Sequence, residues 1–534
     1  MRKIFAVFVL IFVFAVCVLT VDAIAAMSDE DFLELCASGT TQEIEAAIKD
    51  GANVNAADEY GETALMWAAR SNRDPEVIFV LLESGADASL KDNEGMSAID
   101  YASLNSRVMN TAAYQELVAA SERITQAKSD EVLLELCASG TVQEVEAAIK
   151  DGANVNAGDF NGFTALMIAA RYNVSEVASA LIEAGAEINS TNATNWTPLK
   201  TAAQFNDDPE VLSLLIEAGA DVNVALGLRT PLMCAAVENE NPEIIRRLLA
   251  AGADINARKE DGLTALKYAV ANNPNPEVIS ALLEGGADIN ERTDDGVTIL
   301  MFAASNLNPE VISFLIENGS NVNARNESGR AALMLTAGKN TNPEVISVLV
   351  KNGANVNARD EDGLTALMFA ARENSNPEVV SVLLEDVKDI NAGNEDGLTA
   401  LMLAASYNPA PEIISVLLEN GASINARYQN GTTPLMIAAY LNPNPEVNSV
   451  LVKNGADVDA RDEDGFTALM LAAVSDSSNP EVISVLLKNG ADANARDKIG
   501  KRAIDYASEN ENIKGTQAYW ELNDVSWELN DASY

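Results

Sequence analysis

Apolar residues in this chain come in short bursts, and the bursts recur every 33 to 35 residues. One burst reads Thr-Ala-Leu-Met-x-Ala-Ala. It opens at Thr63, Thr164, Thr365, Thr399 and Thr467, and with Pro as its second residue at Thr230 and Thr433. Degenerate copies open at Thr197, Thr264, Thr298 and Ala331. The second burst follows Asn-Pro-Glu, as where Val379, Val380, Leu383 and Leu384 follow Asn376-Pro377-Glu378. Apolar positions at that spacing line one face of a helix. Each period therefore predicts two short helices, and a fixed period of this length predicts a stack of small units instead of one globular core.

The polar residues between the bursts predict where each helix starts and stops. In residues 357–390, Asp-Glu-Asp-Gly makes a turn with Gly363 at its φ > 0 position, and Thr365 caps the first helix. Leu367, Phe369, Ala370 and Ala371 supply its apolar face. Asn376 then caps the second helix, Pro377 takes its first position and Glu378 faces the positive end of its dipole. The same triplet begins at Asn241, Asn275, Asn308, Asn342, Asn444 and Asn479. Second helices leave through a glycine, for example Gly219, Gly319, Gly353 and Gly455. One repeat has Val387 where that glycine belongs. A β-branched residue in the left-handed conformation costs roughly 1–2 kcal/mol. The turn is therefore expected to be rebuilt, and Val387→Gly to stabilise it.

The unit of turn, helix, loop, helix and turn resembles the ankyrin repeat, of the bacterial exported style. The Thr-Pro-Leu core, the Ala-Ala pair, the Gly-Ala-Asp exit and the Val-Asn-Ala strand recur in order over nearly all of the chain after its leader. The resemblance implies an all-α solenoid of helix-turn-helix units with β-hairpin-like fingers, engaged in protein–protein interaction without a cofactor. Two departures stand out. The family has His after Thr-Pro-Leu, where this chain has Met, or Lys at Lys200 and Lys267. Its Gly-His between the helices is replaced by Asn-x-Asn-Pro. The family His ties neighbouring turns together, so here that tie is expected from packing and the turn backbone. The methionine column, including Met167, Met334, Met368 and Met402, is expected to be core.

Two segments betray an internal duplication. Residues 28–70 and 129–171 align at a constant offset of 101, both beginning Ser-Asp-Glu and carrying Leu-Glu-Leu-Cys-Ala-Ser-Gly-Thr. Gly95–Ser103 likewise matches Gly500–Ser508 in an Ala-Ile-Asp-Tyr-Ala-Ser phrase. The expected order is a short array at 28–122 (cap, one repeat, cap) and a long array at 129–524 (cap, about ten repeats, cap). A tail occupies 525–534, and a break or bend in the stack is expected near Glu122–Ser129.

Composition narrows the function. Arg2 and Lys3 precede an apolar run from Ile4 to Val21, followed by Ala23-Ile24-Ala25. That reads as a secretory leader, expected to be cleaved after Ala25, with an uncleaved anchor as the alternative and a periplasmic or secreted destination. The formal charge of -45 disfavours nucleic acid and anionic membranes and favours basic partners or cations. Histidine is absent, which removes the commonest general base and metal ligand. Cys36, Cys137 and Cys234 have no metal-ligand spacing and read as small buried hydrophobes. The Asp-Glu-Asp-Gly loops at Asp360 and Asp462 lack the later bidentate Glu of a calcium loop. No phosphate loop or nucleophile elbow is present, so the expected protein is not an enzyme.

The resemblance also implies a binding surface: a concave face built from finger tips and the ends of first helices. Carried onto this chain, the tips are Tyr60, Phe160 and Tyr428, with Arg258, Arg292, Arg325, Arg359, Arg427, Arg461 and Arg496. The helix ends are Tyr172, Phe205, Glu238, Lys339, Glu373, Tyr407 and Leu441. Tyr and Arg are frequent interface anchors. The arginines have a second reading, as neutralisers of finger carboxylates such as Asp360 and Asp462. The expectation is an exported monomeric scaffold for a basic protein partner. The alternative is an acidic, cation-dependent structural spacer.

Overall fold

The computed structural model describes residues 27–531 except 173, 174, 226, 228 and 478, with the backbone alone for 526–531. The expected leader and its cleavage point lie outside the described residues, as do the last three residues of the expected tail. Among the described residues the architecture is helical. The hairpin fingers are reduced to isolated bridges such as Ala57–Thr63 and Arg292–Thr298. Contacts divide the chain into Met1–Asn192 and Ala193–Tyr534.

The first unit pairs Asp29–Ser38 with Thr41–Lys49, and Ala64–Ser71 with Glu76–Glu83. Ala98–Leu104 follows, then the long helix Ala112–Ser139, Val142–Lys150, Ala165–Tyr172 and Ser175–Glu183. The stretch 122–129, where the sequence suggests a break, is the middle of that 28-residue helix. The reason is local: no Gly or Pro occurs between Ala112 and Ser139, so nothing lets the chain leave the helix. Ser28 of the first Ser-Asp-Glu caps a helix through the Asp31 amide. In the second copy, Ser129 is read through as helix interior.

The long helix joins two cores. Its first half buries Ala113, Leu117 and Ala120 in the cluster that begins at Phe32, and its second half buries Leu133 and Cys137. It also does the work of a finger. In an ordinary finger, Asn55 Nδ2 donates to Gly85 O (3.2 Å) and Oδ1 accepts from the Asp87 amide (2.8 Å). On the long helix, Gln126 Nε2 donates to Gly152 O (3.0 Å) and Asp130 Oδ1 accepts from the Asn154 amide (2.7 Å). Lys128 Nζ reaches Asp87 (2.9 Å) and Ser89 (2.7 Å), fastening the helix to the preceding finger.

In the second unit first helices alternate with second helices, from Pro198–Phe205 and Pro209–Glu217 to Ala468–Val474 and Glu481–Lys488. Ala503–Glu509 and Gln517–Asp531 close it. The duplicated closing phrase makes the same bond in both units: Tyr101 donates to Asp92 (2.6 Å) and Tyr506 to Asp497 (2.5 Å). Burial and Asp497 push the Tyr506 hydroxyl up to about 12. The bond from Tyr101, followed by backbone amides, holds Asp92 below the usual carboxylate range.

The turn at Val387 is rebuilt. Among the described non-glycine residues only Asn110 and Asn195 have positive φ. The helix Pro377–Leu384 stops one residue early, and Asp386 N–H donates to Leu383 O (3.2 Å). Elsewhere the residue after the exit glycine donates back into the helix, as Ala354 does to Leu349 O (3.0 Å). Here the Lys388 amide donates to Asn357 Oδ1 instead (3.0 Å). A cavity of about 280 Å³ lies beside Val387, Lys388, Met368 and Ile390. Since Val387 is not left-handed, glycine there relieves no strain, which corrects the basis of the expected gain.

Asn448 breaks a different pattern. Its equivalents are Ile312, Ile346, Val380, Ile414 and Ile483, all fully buried, as is Asn448 itself. Neither polar atom of its amide has a hydrogen-bond partner. A buried unpaired amide costs about 1–3 kcal/mol. Asn448→Ile is therefore expected to raise stability by about 2 kcal/mol, read as a higher urea midpoint at constant m-value. A lowered midpoint overturns this.

Candidate functional site

Most of the described first helices end at a residue followed by an asparagine whose backbone is extended and whose side chain turns inward. Asn374 donates to Ala337 O (2.8 Å) and Asn340 O (2.8 Å), while its Oδ1 accepts from the Asn376 amide (2.8 Å). Asn340 bonds in the same way to Ala304 O and Asn306 O, Asn408 to Ala371 O and Asn374 O, and Asn442 to Ala405 O and Asn408 O. Ser475 holds the position once, donating to Tyr440 O (2.6 Å), and Asn510 resumes the ladder. In the first unit Asn72 reaches Cys36 O (2.9 Å) and Gly39 O (3.1 Å).

Two further asparagine ladders run beside this one. The capping asparagines also donate to the preceding repeat, as Asn275 does to Glu240 O and Asn376 to Thr341 O. Finger asparagines such as Asn223 and Asn323 donate to Gly252 O and Gly353 O in the next repeat. Neighbouring repeats are thus tied by side-chain amides, where packing and turn backbone were expected to suffice. The signal was in the sequence: an asparagine stands directly after nearly every first helix.

The arginine column is also structural, but through carbonyls and not through the expected carboxylates. Arg359 donates to Gly363 O (2.8 Å) in its own loop and Gly393 O (2.7 Å) in the next. Arg427 does the same with Gly431 O and Arg461 O. Arg292 reaches Arg325 O, Arg325 reaches Gly329 O, Arg461 reaches Gly465 O and Arg496 reaches Gly500 O. Only Arg258 of this column forms an ion pair among the described residues, with Glu291 (2.6 Å). Asp360 and Asp462 instead accept amide hydrogens from their own loops, and Asp360 also pairs with Arg330.

The methionine column is buried. Some of its sulfurs accept the cap residue's amide, as Met66 does from Thr63 (3.3 Å) and Met436 from Thr433 (3.4 Å). Lys267, in the same column, has a fully buried side chain, and its Nζ donates to Gly262 O (2.9 Å) and Glu291 (3.0 Å). Lys200 donates to Asn195 O (3.4 Å), and burial holds its ammonium below the usual lysine range. Burial pushes the Cys36 and Cys137 thiols up to about 12 and Cys234 up to about 11, so all three stay protonated and unreactive at neutral pH. Among the described residues no three His, Cys, Asp or Glu side chains could jointly hold a metal ion.

These ladders leave the residue just before each rung on the surface. In the second unit that row holds Glu238, Lys339, Glu373, Tyr407 and Leu441, all exposed. Phe205 occupies the same position but is half-buried, with its ring stacked on Trp196 at 5.5 Å. Tyr172 holds the equivalent, exposed place in the first unit. Of the finger residues, Tyr60 is exposed, Phe160 almost wholly so at 96%, and Tyr428 half-buried. Sequence reasoning missed Tyr440, Val474 and Leu307, all exposed. Val474 escaped the repeat count: the residue eight past Thr467, as Leu441 is eight past Thr433, is Ser475, and the helix ends one residue earlier.

Sequence profiles of ankyrin repeats match residues 47–102 and, in overlapping spans, 99–360, 333–428 and 426–497. The chain belongs to the ankyrin-repeat family. Ankyrin repeats imply a protein-interaction scaffold, and the stacked helix pairs make each unit an ankyrin α-solenoid. Ankyrin repeat domain-containing protein SAT10 of Stachybotrys chartarum is 37% identical over 70 residues. The match spans 13% of this chain and only 4% of that relative. The crystal structure of the human ASB11 ankyrin repeat domain aligns at 29% identity with a TM-score of 0.37, covering 42% of this chain and 98% of that one. No described helix of this ankyrin protein is long and apolar enough to cross a membrane.

Proposed function

We propose that the protein is an exported, non-enzymatic scaffold that holds a protein partner on the row of first-helix ends and the neighbouring finger tips. The observation that carries this reading is a division of labour. The asparagine and arginine side chains that bind repeat to repeat are used internally, while Tyr172, Tyr407, Tyr440 and Leu441 remain exposed beside them. Nothing in the ladders needs those apolar surfaces, and aromatic anchors on a rigid support are what interfaces use. In this reading the leader directs the chain to the periplasm or outside the cell. The charge of -45 steers it towards basic partners, and the scaffold acts as a monomer.

A crosslinking pull-down from the source envelope with residues 26–534, at low and high salt, tests this. The expected result is a discrete partner that survives about 0.5 M salt, since exposed charges are screened there and apolar anchors are not. It should be lost when Tyr172, Phe205 and Tyr407 are changed together to Ala. Heterogeneous capture that vanishes with salt, together with a melting temperature raised sharply by calcium, supports the acidic spacer instead.

A further inference from the structure

Four exposed apolar side chains fall together on three successive repeats of the second unit. Tyr407, Leu441 and Val474 are the last residues of the helices Ala400–Tyr407, Pro434–Leu441 and Ala468–Val474, and Tyr440 adjoins Leu441. The residues immediately behind them tie each repeat to the one before: Asn442 donates to Asn408 O (2.9 Å), Ser475 to Tyr440 O (2.6 Å) and Asn510 to Ser475 O (3.0 Å). Pro409 and Pro443, also exposed, lie two residues beyond Tyr407 and Leu441. The patch has acidic ends. Glu373 and Glu509 hold the same helix position in the repeats before and after, paired with Arg372 and Lys501. Asp476, two residues past Val474, is exposed and makes no ion pair among the described residues.

We infer that this patch binds an extended, polyproline-type segment of the partner, with an apolar side chain at every third residue and a basic residue at the end that lies beyond Val474. The inference rests on the scaffold reading above and names the partner's chemistry. Packed helices stand about 8–10 Å apart. A polyproline helix advances about 9.3 Å in its three-residue turn, so each turn delivers one side chain to each repeat. An α-helix repeats at about 5.4 Å per turn and a strand's same-face side chains at about 6.6 Å, and neither matches. Exposed tyrosines beside apolar residues are the surface on which such segments dock. Basic termini suit Asp476 and the field of the whole chain.

The test is fluorescence anisotropy with the full chain and three labelled peptides. The first carries three Leu-Pro-Pro units followed by Arg-Lys. The second has the same composition with leucine at every second residue, and the third has Glu-Glu in place of Arg-Lys. The first should bind about tenfold or more tightly than either other peptide. Tyr407→Ser with Leu441→Ser should weaken it by about tenfold or more, while Met109→Ala with Val132→Ala leaves it unchanged. All four side chains are exposed, so the variants should keep the wild-type circular dichroism and melting curve. Equal binding of the re-spaced peptide, or wild-type binding by the Tyr407/Leu441 variant, overturns the inference. If the natural partner is captured and lost with Tyr172→Ala but kept by the Tyr407/Leu441 variant, the scaffold reading stands and this inference fails.

Discussion

Asn374→Leu lowers stability by about 4 kcal/mol and divides the unfolding transition in two. The estimate follows from what the amide does. Its side chain is buried, and its loss leaves Ala337 O, Asn340 O and the Asn376 amide without partners. Each orphaned buried group costs about 1–3 kcal/mol. Leucine has the branched shape of asparagine and a larger volume, so none of the effect arises from an empty space. Division of the transition follows from the architecture. In a stack where each repeat touches only its neighbours, stability is a chain of local and interface contributions. Weakening one interface uncouples the repeats on either side. Differential scanning calorimetry reads both outcomes. A single transition at the wild-type temperature would show that packing alone carries the interface.

Glu291→Gln is the second large effect, a loss of about 3 kcal/mol. Glu291 is the carboxylate partner of the buried Lys267 ammonium and also binds Arg258 and Thr264. Removing one member of a buried pair leaves an uncompensated charge, which costs about 3–5 kcal/mol; the retained Gln carbonyl offsets part of that. Lys267→Met should be nearly neutral, because Met fills the same position in most other repeats and Glu291 keeps Arg258. The double variant should then recover most of the loss, giving a coupling energy of about 2 kcal/mol or more in a urea-melt cycle. Additive single effects would mean that Lys267 and Glu291 act independently.

The repeat itself was legible because its signals are local. Thr365, Asn376 and Pro377 mark helix starts and the exit glycines mark helix ends, and all act within a turn or two of chain. What stayed hidden was the use of one repeat's side chains by another. Asn374 reads as an ordinary loop residue until its carbonyl partners, 34 and 37 residues earlier, are known. Arg359 looks like a surface cation beside Asp360, yet it binds carbonyls of two fingers. The candidate surface was read in the right register, but its apolar content was not. Phe205 is drawn half inward by Trp196, and the exposed Val474 and Tyr440 were not among the expected surface residues. Exposure depends on which way a helix faces, and a period written in letters carries that only indirectly. At 122–129 the duplication suggested a break or bend, and the chain there runs on as helix because the flanking residues offer no exit.

That uninterrupted helix, Ala112–Ser139, gives its segment a rotational phase. A loop between two cores tolerates an added or lost residue by changing its slack. A helix cannot: each residue inserted between Ala120 and Leu133 turns everything beyond it by about 100° and advances it by about 1.5 Å. An insertion before Gln126 would carry Lys128 away from Asp87, and one after Asp130 would part Gln126 and Asp130 from Gly152 and Asn154. This stretch can therefore change its letters at exposed positions but not its length.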